Sequence, residues 1–167
     1  MITIRPAIPS DATAMAKLLN EIIKIGGTTA QQTLFDDARM LSHYLAPPNN
    51  VACHVALENG SLLGFQALEW SKDDPADPNA RPSDWAYIAS FVQDGHQGKG
   101  IGVKLFTATL AIAKHQNVQA IDATIRADNV PGLAYYAKMG FREDGRKRNV
   151  PLRDGTKIDR VQKALYL

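Results

Sequence analysis

The chain has a single cysteine, Cys53, so no internal disulfide can brace it. Cys53 lies in an apolar run and reads as a small packed hydrophobe. Its neighbour His54 would project from the opposite face of a strand, and His43, His96 and His115 are scattered. No metal-ligand spacing emerges, and no metal is expected. No apolar run approaches the roughly 20 residues of a membrane span. The amino terminus, Met1-Ile2-Thr3-Ile4-Arg5-Pro6, has no basic segment leading into an apolar core. A cytoplasmic enzyme with no membrane partner is therefore expected. Excess charge is also missing. Nineteen Lys and Arg against 17 Asp and Glu give a net charge of +2, too little for a nucleic-acid-binding field. No repeat, low-complexity tract or linker divides the 167 residues, which suffice for one domain, residues 1–167, with a sizeable core.

What is present alternates between strand and helix patterns. Ile2 to Arg5 reads as a short strand closed by Pro6. Ser10 or Asp11 is placed to cap a helix whose apolar residues, Met15, Leu18, Leu19, Ile22 and Ile23, recur at helical spacing up to Gly26-Gly27. A second helix is expected over Phe35 to Leu45, stopped by Pro47-Pro48. Val51 to Leu57 and Leu62 to Trp70 flank Asn59-Gly60, a hairpin signal. Ser71 to Asp84, with three prolines, has no periodicity and reads as an exposed loop. Trp85 to Val92 is a strand, Val103 to His115 a helix, Ala120 to Arg126 a strand parallel to the previous one, and Pro131 to Met139 a short helix ended by Gly140. Arg142 to Asn149 and Lys157 to Leu165 form a closing hairpin around Asp154-Gly155. The basic excess there, Arg160 included, reads first as a solvated hairpin and second as a basic rim that attracts CoA phosphates or an acidic substrate.

The most informative stretch joins the strand ending at Val92 to the helix after it: Gln93-Asp94-Gly95-His96-Gln97-Gly98-Lys99-Gly100-Ile101-Gly102. Glycines let backbone N–H groups approach an anion, and a helix N-terminus presents unpaired donors to it. Lys99 adds a positive charge. The spacing is neither the G-x-x-x-x-G-K-[ST] of a P-loop nor the G-x-G-x-x-G of a dinucleotide fold. It does fit (R/Q)-x-x-G-x-(G/A), filled by Gln97, Gly100 and Gly102. Further on comes Asn129-Val130-Pro131-Gly132-Leu133-Ala134-Tyr135-Tyr136-Ala137-Lys138-Met139-Gly140-Phe141.

These two motifs, in this order, resemble the acetyl-CoA loop and the N-x-x-[A/G]-x-x-x-Y-x-K-x-G-F segment of the GNAT superfamily of N-acetyltransferases. The specific likeness lies between Trp85 and Phe141. It implies an α/β (mixed α+β) fold: a mostly antiparallel mixed sheet, flanked by helices, with one parallel strand pair splayed apart at the acetyl-CoA site. It implies acetyl transfer from acetyl-CoA, without a metal, to a primary amine by direct attack on the thioester.

Carried over residue by residue, the resemblance makes Phe91 and Val92 backbone partners of the pantetheine arm. Gln97, Gly98, Lys99, Gly100, Ile101 and Gly102 cradle the diphosphate. Asn129, Gly132, Tyr136 and Lys138 lie on the cofactor's other side, and Tyr136 is also the acid that protonates the departing thiolate. Tyr135 reads as packing. Family members often carry a carboxylate base on the strand before the glycine loop, and Trp85 to Val92 has none. Glu69 on the preceding strand is the substitute, with Asp122 a weaker one. The expected acceptor is a small-molecule amine, with an amino-acid-like molecule as the narrower form. A protein or peptide amine, a non-catalytic acyl-CoA-binding module and a dinucleotide enzyme using Asp122 for ribose are the alternatives. A homodimer is compatible with the family.

Overall fold

The computed structural model describes residues 1–72 and 74–167, so Asp73 of the expected loop lies outside the described residues. The elements are β1 (Thr3–Pro6), α1 (Ala12–Ile25), α2 (Asp37–Met40), β2 (Asn50–Glu58), β3 (Ser61–Trp70), β4 (Trp85–Val92), α3 (Ile101–His115), β5 (Ala120–Arg126), α4 (Val130–Lys138), β6 (Arg142–Pro151) and β7 (Lys157–Tyr166). The seven strands form one sheet in the order β1-β2-β3-β4-β5-β7-β6. Only β4 and β5 run parallel, because α3 must cross over between them while hairpins join the others. The closing hairpin does not simply extend the sheet. Its second strand, β7, lies between β5 and β6.

Local chemistry explains most element boundaries. Asn59 and Gly60 take φ of 50° and 79°, the pair of left-handed residues that a two-residue hairpin turn needs. Helix α1 buries Met15, Leu18 and Leu19 and stops at Gly26, with φ 77°. Its start differs from expectation. Neither Ser10 nor Asp11 caps it with a side chain; a 3₁₀ turn, Pro9–Asp11, precedes it. Asp11 instead accepts from the Ile8 N–H at 2.8 Å and pairs with the Arg5 guanidinium at 2.8 and 2.9 Å, bonds that hold its carboxyl below the usual range. Helix α2 starts later than Phe35, because Asp36 accepts from the Arg39 N–H and caps it there. It then widens into a π turn over Leu41–Leu45.

The two faces of the sheet carry separate cores. One unites α1 and α2 with Val55, Phe65 and Phe91, where Tyr44, Phe65 and Phe91 meet edge to face or tilted. The other unites α3 and α4 with Leu68, Ile88 and Ile121 through Phe106, Tyr136 and Phe141.

The loop before β4 is tied down. Arg81 donates from Nε to Asp122 at 2.6 Å and from its two terminal nitrogens to Asp144 at 2.9 and 2.6 Å, with its guanidinium 4.7 Å from the centre of the Trp85 ring. Asp122 is wholly buried, and Thr124 donates to its second oxygen at 2.6 Å.

Candidate active site

The site is built around a gap in the sheet. Strands β4 and β5 are paired only from Trp85↔Ala120 to Tyr87↔Asp122; beyond that they diverge. Which backbone groups face the gap follows from the alternation of antiparallel ladders. Strand β4 bonds to β3 through the Trp85 carbonyl, which accepts from Ser71, and the Gln93 N–H, which donates to Leu63. The odd-numbered residues between them therefore point their main chain at β3. The even-numbered ones, including Ser90 and Val92, point theirs into the gap. By the same rule, with Ala127 donating to Asp159, β5 offers Thr124 and Arg126.

This corrects one expectation. Val92 faces the gap as foreseen, but Phe91 does not: its main chain belongs to the β3 ladder and its ring to the core. Ser90 takes the place expected of it.

Beside the gap, the glycines divide into two kinds. Gly95, Gly98 and Gly100 have φ of 78°, 76° and 78°, and a Cβ on any of them would meet nothing within 4 Å. They form an open, left-handed approach to α3. Gly100 is the N-cap, and Lys104 is the first amide to reach a carbonyl, that of Gly100 at 3.1 Å. The N–H groups of Ile101, Gly102 and Val103 thus have no intrahelical acceptor. The Ile101 side chain is core, so only its amide faces outward. Gln97, Gly98, Lys99 and Gly100 are exposed.

Gly102 and Gly132 are closed from inside the chain. A Cβ on Gly102 would lie 2.7 Å from the Tyr135 ring, and one on Gly132 would collide with the Asn129 amide. The structure also gives Asn129 and Gly132 a job other than the expected one. Asn129 caps α4 by accepting from the Gly132 N–H at 3.0 Å and donates to the Thr28 carbonyl at 3.0 Å. Both polar ends of Asn129 and the Gly132 amide are thereby occupied. Lys138 is exposed near the end of α4.

On the α3–α4 face of the gap, the polar side chains form a connected row. Gln66 Nε2 donates to Ser90 Oγ at 2.7 Å and to the Tyr135 hydroxyl at 3.2 Å. Ser90 Oγ and the Tyr136 hydroxyl share a hydrogen bond at 2.8 Å. Tyr135 donates to the Gly102 carbonyl at 2.8 Å. Tyr136 is buried between the Tyr135 and Phe141 rings, and burial pushes its phenol well above the ordinary tyrosine range. Among the described residues, Gln66 Oε1 is the buried side-chain oxygen without a donor.

On the other face, beside the segment that joins α1 to β2, lies a cavity of about 280 Å³. It is lined by Gln31, His43, Tyr44 and Pro47 from the α1–β2 segment, Glu69 from β3, Tyr87 and Ala89 from β4, Asp122 and Thr124 from β5, and Arg160 from β7. It adjoins a second, more open cavity of about 400 Å³ whose rim includes Lys72, Asp74, Asp77 and Ala80 of the loop before β4. Glu69 lines both. Burial raises its carboxyl above the usual range, against opposing pulls from Lys72 and Asn49. Burial lowers His43 and pushes Tyr44 up to about 12. Asp122 is not free to act as a base or to hold a ribose, since both its oxygens are occupied by Arg81 and Thr124.

An opened parallel pair with free backbone, a glycine-lined helix start beside it, and a polar cavity on the far face form the frame of an acyltransferase that binds an extended amide-bearing carrier. The chain matches the acetyltransferase (GNAT) family over residues 15–141 and belongs to it. It is therefore an N-acetyltransferase, and acetyl-CoA is the family's acyl donor. It is 33% identical over 85 residues to a mycothiol acetyltransferase of Saccharomonospora viridis, matching 49% of this chain but only 26% of that longer protein. It is 22% identical over 160 residues to the L-methionine sulfoximine/L-methionine sulfone acetyltransferase of Salmonella typhimurium, 95% of this chain and 90% of that one. A phosphinothricin acetyltransferase of Sinorhizobium meliloti, solved with acetyl-CoA, superposes with a TM-score of 0.83 at 19% identity, over 99% of this chain and 88% of that one. No helix among the described residues is long and apolar enough to cross a membrane.

The residues present suit the donor. Pantetheine carries two amides, which the free main-chain groups of Ser90 and Val92 can pair as a strand would. The diphosphate suits the open Gly98–Gly100 approach and the free amides of the first α3 turn. Sequence reasoning missed Gln66, Ser90 and His43, and reached Arg160 only as one cation of the basic closing hairpin. The available signal was a polar residue inside an apolar strand, as at Gln66 in Leu62–Trp70 and Ser90 in Trp85–Val92.

Proposed function

We propose that this enzyme acetylates a primary amine of a small, amino-acid-like molecule bound in the cavity between Glu69 and Arg160. The observation that carries the reading is the cavity's place: it opens on the face of the β4–β5 gap opposite the Tyr135–Tyr136 row, so an amine there and a thioester in the gap meet across β4. Its size, about 280 Å³, is near the lower limit for small-ligand sites and suits a molecule of amino-acid dimensions. The names of the relatives, which act on methionine sulfoximine and phosphinothricin, support the same class.

Acetyl-CoA supplies an acetyl group on a sulfur that leaves as thiolate. The chain's own residues do the rest. Ser90 and Val92 hold the arm, and Gln97, Gly98, Lys99, Gly100 and the first amides of α3, those of Ile101 and Gly102 among them, hold the phosphates. Glu69 accepts the amine proton, directly or through water; its raised affinity for a proton makes it a better base than an exposed glutamate. Tyr136 keeps its proton at neutral pH because burial disfavours the phenolate, and it donates that proton at the departing sulfur. Ser90 Oγ, 2.8 Å away, then donates to the tyrosine oxygen. Asn129 and Gly132 act by fixing the start of α4, which places Tyr136. Lys138 offers a cation at the rim.

The test is thermal shift with acetyl-CoA and NAD on wild type and Gly100→Trp, followed by turnover on an amine panel. A ligand at a hundred times its Kd stabilises by about 2.7 kcal/mol. Acetyl-CoA should raise the wild-type midpoint and leave that of Gly100→Trp unmoved. Stabilisation by NAD instead, or acetylation of peptide amines alone, would overturn the reading.

A further inference from the structure

Resting on the reading of this cavity as the acceptor site, we propose that Arg160 selects the acceptor by binding an anionic group, a carboxylate or its phosphinate or sulfonate equivalent, at the end of the cavity opposite Glu69. Three observations converge on Arg160.

The first is placement. On β5 and β7, Asp122, Thr124 and Arg126 stand opposite Ala164, Gln162 and Arg160, so these side chains share the cavity face. Of the guanidinium groups there, Arg160 is the one lining the cavity.

The second is the absence of a partner. The acids of the neighbouring strands that form ion pairs form them with other arginines. Asp122 and Asp144 bind Arg81, Asp128 binds Arg126, and Asp159 binds Arg146 and Arg148. Among the described residues no carboxylate pairs with Arg160. Its surroundings make the cation uncomfortable: partial burial and the neighbouring Arg126 charge both press its guanidinium toward losing its proton. A partly desolvated guanidinium with its fork unused is a strong acceptor of a bidentate oxyanion.

The third is spacing and polarity. Glu69 and Arg160 stand on β3 and β7, three places apart in the strand order, with the diverging β4–β5 pair between them. Both side chains line the one cavity and carry opposite charges. An acceptor with an ammonium at one end and an oxyanion at the other matches both ends, and its orientation follows: the nitrogen lies toward Glu69 and β4, where the thioester is held, and the anion lies away from it.

The experiment separates this proposal from the reading beneath it. CoA-loaded protein is titrated by calorimetry with a panel of N-acetyl-L-amino acids and with their decarboxylated N-acetylamine counterparts, and the same pairs of free amines are compared in turnover. The expected result is tighter binding of the carboxylate forms by about ten- to a hundredfold, the worth of a charge-assisted bidentate pair, expressed in KM more than in kcat. Arg160→Gln should collapse that ratio toward one, and Arg160→Lys should restore part of it. If both forms bind wild type equally, the small-amine reading stands and the role of Arg160 falls. If neither form binds, the acceptor cavity itself is misplaced and both fall. The wild-type comparison needs no variant, so poor folding of Arg160→Gln cannot shield the proposal.

Discussion

On the α3–α4 side of the β4–β5 gap, Gln66, Ser90, Tyr135 and Tyr136 bond to one another and to the Gly102 carbonyl. On the α1–α2 side, Glu69, His43 and Arg160 face a cavity. The first face is tied together by its own hydrogen bonds, with Gln66 Oε1 left over among the described residues, and the second leaves Arg160 without a carboxylate partner. The difference matches the two tasks. A donor common to a whole family can be met by fixed groups whose positions are settled in advance. An acceptor that varies between members is met by side chains whose hydrogen-bonding capacity the fold leaves unspent. The Arg81 cluster lies between them. It ties the loop before β4 to β6 and to Asp122, the last residue of β5 paired with β4.

The largest effect should come from breaking that tie. Arg81→Ala leaves the wholly buried Asp122 without its cation, and removal of one partner of a buried pair costs about 3–5 kcal/mol. Urea unfolding at neutral pH measures it. A loss under about 1 kcal/mol would mean that the cluster does not hold that loop.

Next, neighbouring tyrosines should separate. Tyr136→Phe should lower kcat by about a hundredfold, the lower end of what a positioned proton donor contributes, with the KM for acetyl-CoA little changed. Tyr135→Phe removes two hydrogen bonds, one to the Gly102 carbonyl and one from Gln66, and should cost about 1–2 kcal/mol of stability with kcat nearly intact. Equal kcat losses would erase the distinction drawn between them.

The smallest expected change is the loss of kcat/KM in Glu69→Gln, and its pH signature is sharper than its size. Burial raises the Glu69 carboxyl, so in wild type the rate should climb with pH through a value above the ordinary glutamate range. The Gln variant should lack that limb. For stability the sign is opposite. A group whose folded pKa is raised favours the folded state most below its unfolded pKa, and that contribution disappears as pH rises through the folded value. Glu69→Gln should therefore be no less stable than wild type at neutral pH. An unchanged acidic limb would remove Glu69 as the base.

Legibility followed sequence distance. The Asn59-Gly60 hairpin, the end of α1 at Gly26, the strands Trp85–Val92 and Ala120–Arg126 and the glycine approach to α3 are each specified within a few residues. They were readable because turn geometry and periodicity are local. The misjudgements were cases where a distant partner decided. Asp11 turned from a helix cap to a partner of Arg5, and Asn129 joined α4 to the Thr28 carbonyl. Phe91 joined the β3 ladder, because the parity of strand pairing cannot be seen in one strand. Gly102 and Gly132 share a residue type with Gly98 and Gly100, yet a side chain elsewhere fills the space that their missing Cβ leaves.

The sequence by itself determined the class of the protein: the order of its elements, the open glycine turn before α3 and the tyrosine on α4, since backbone conformation and side-chain period are encoded by near neighbours. Tertiary structure alone decided what faces what. It inserted β7 beside β5, left β4 and β5 unpaired past Tyr87↔Asp122, and brought Glu69 and Arg160, from the third and seventh strands, to one cavity. Those outcomes depend on strand pairing and burial between residues far apart in the chain, where no local pattern reaches.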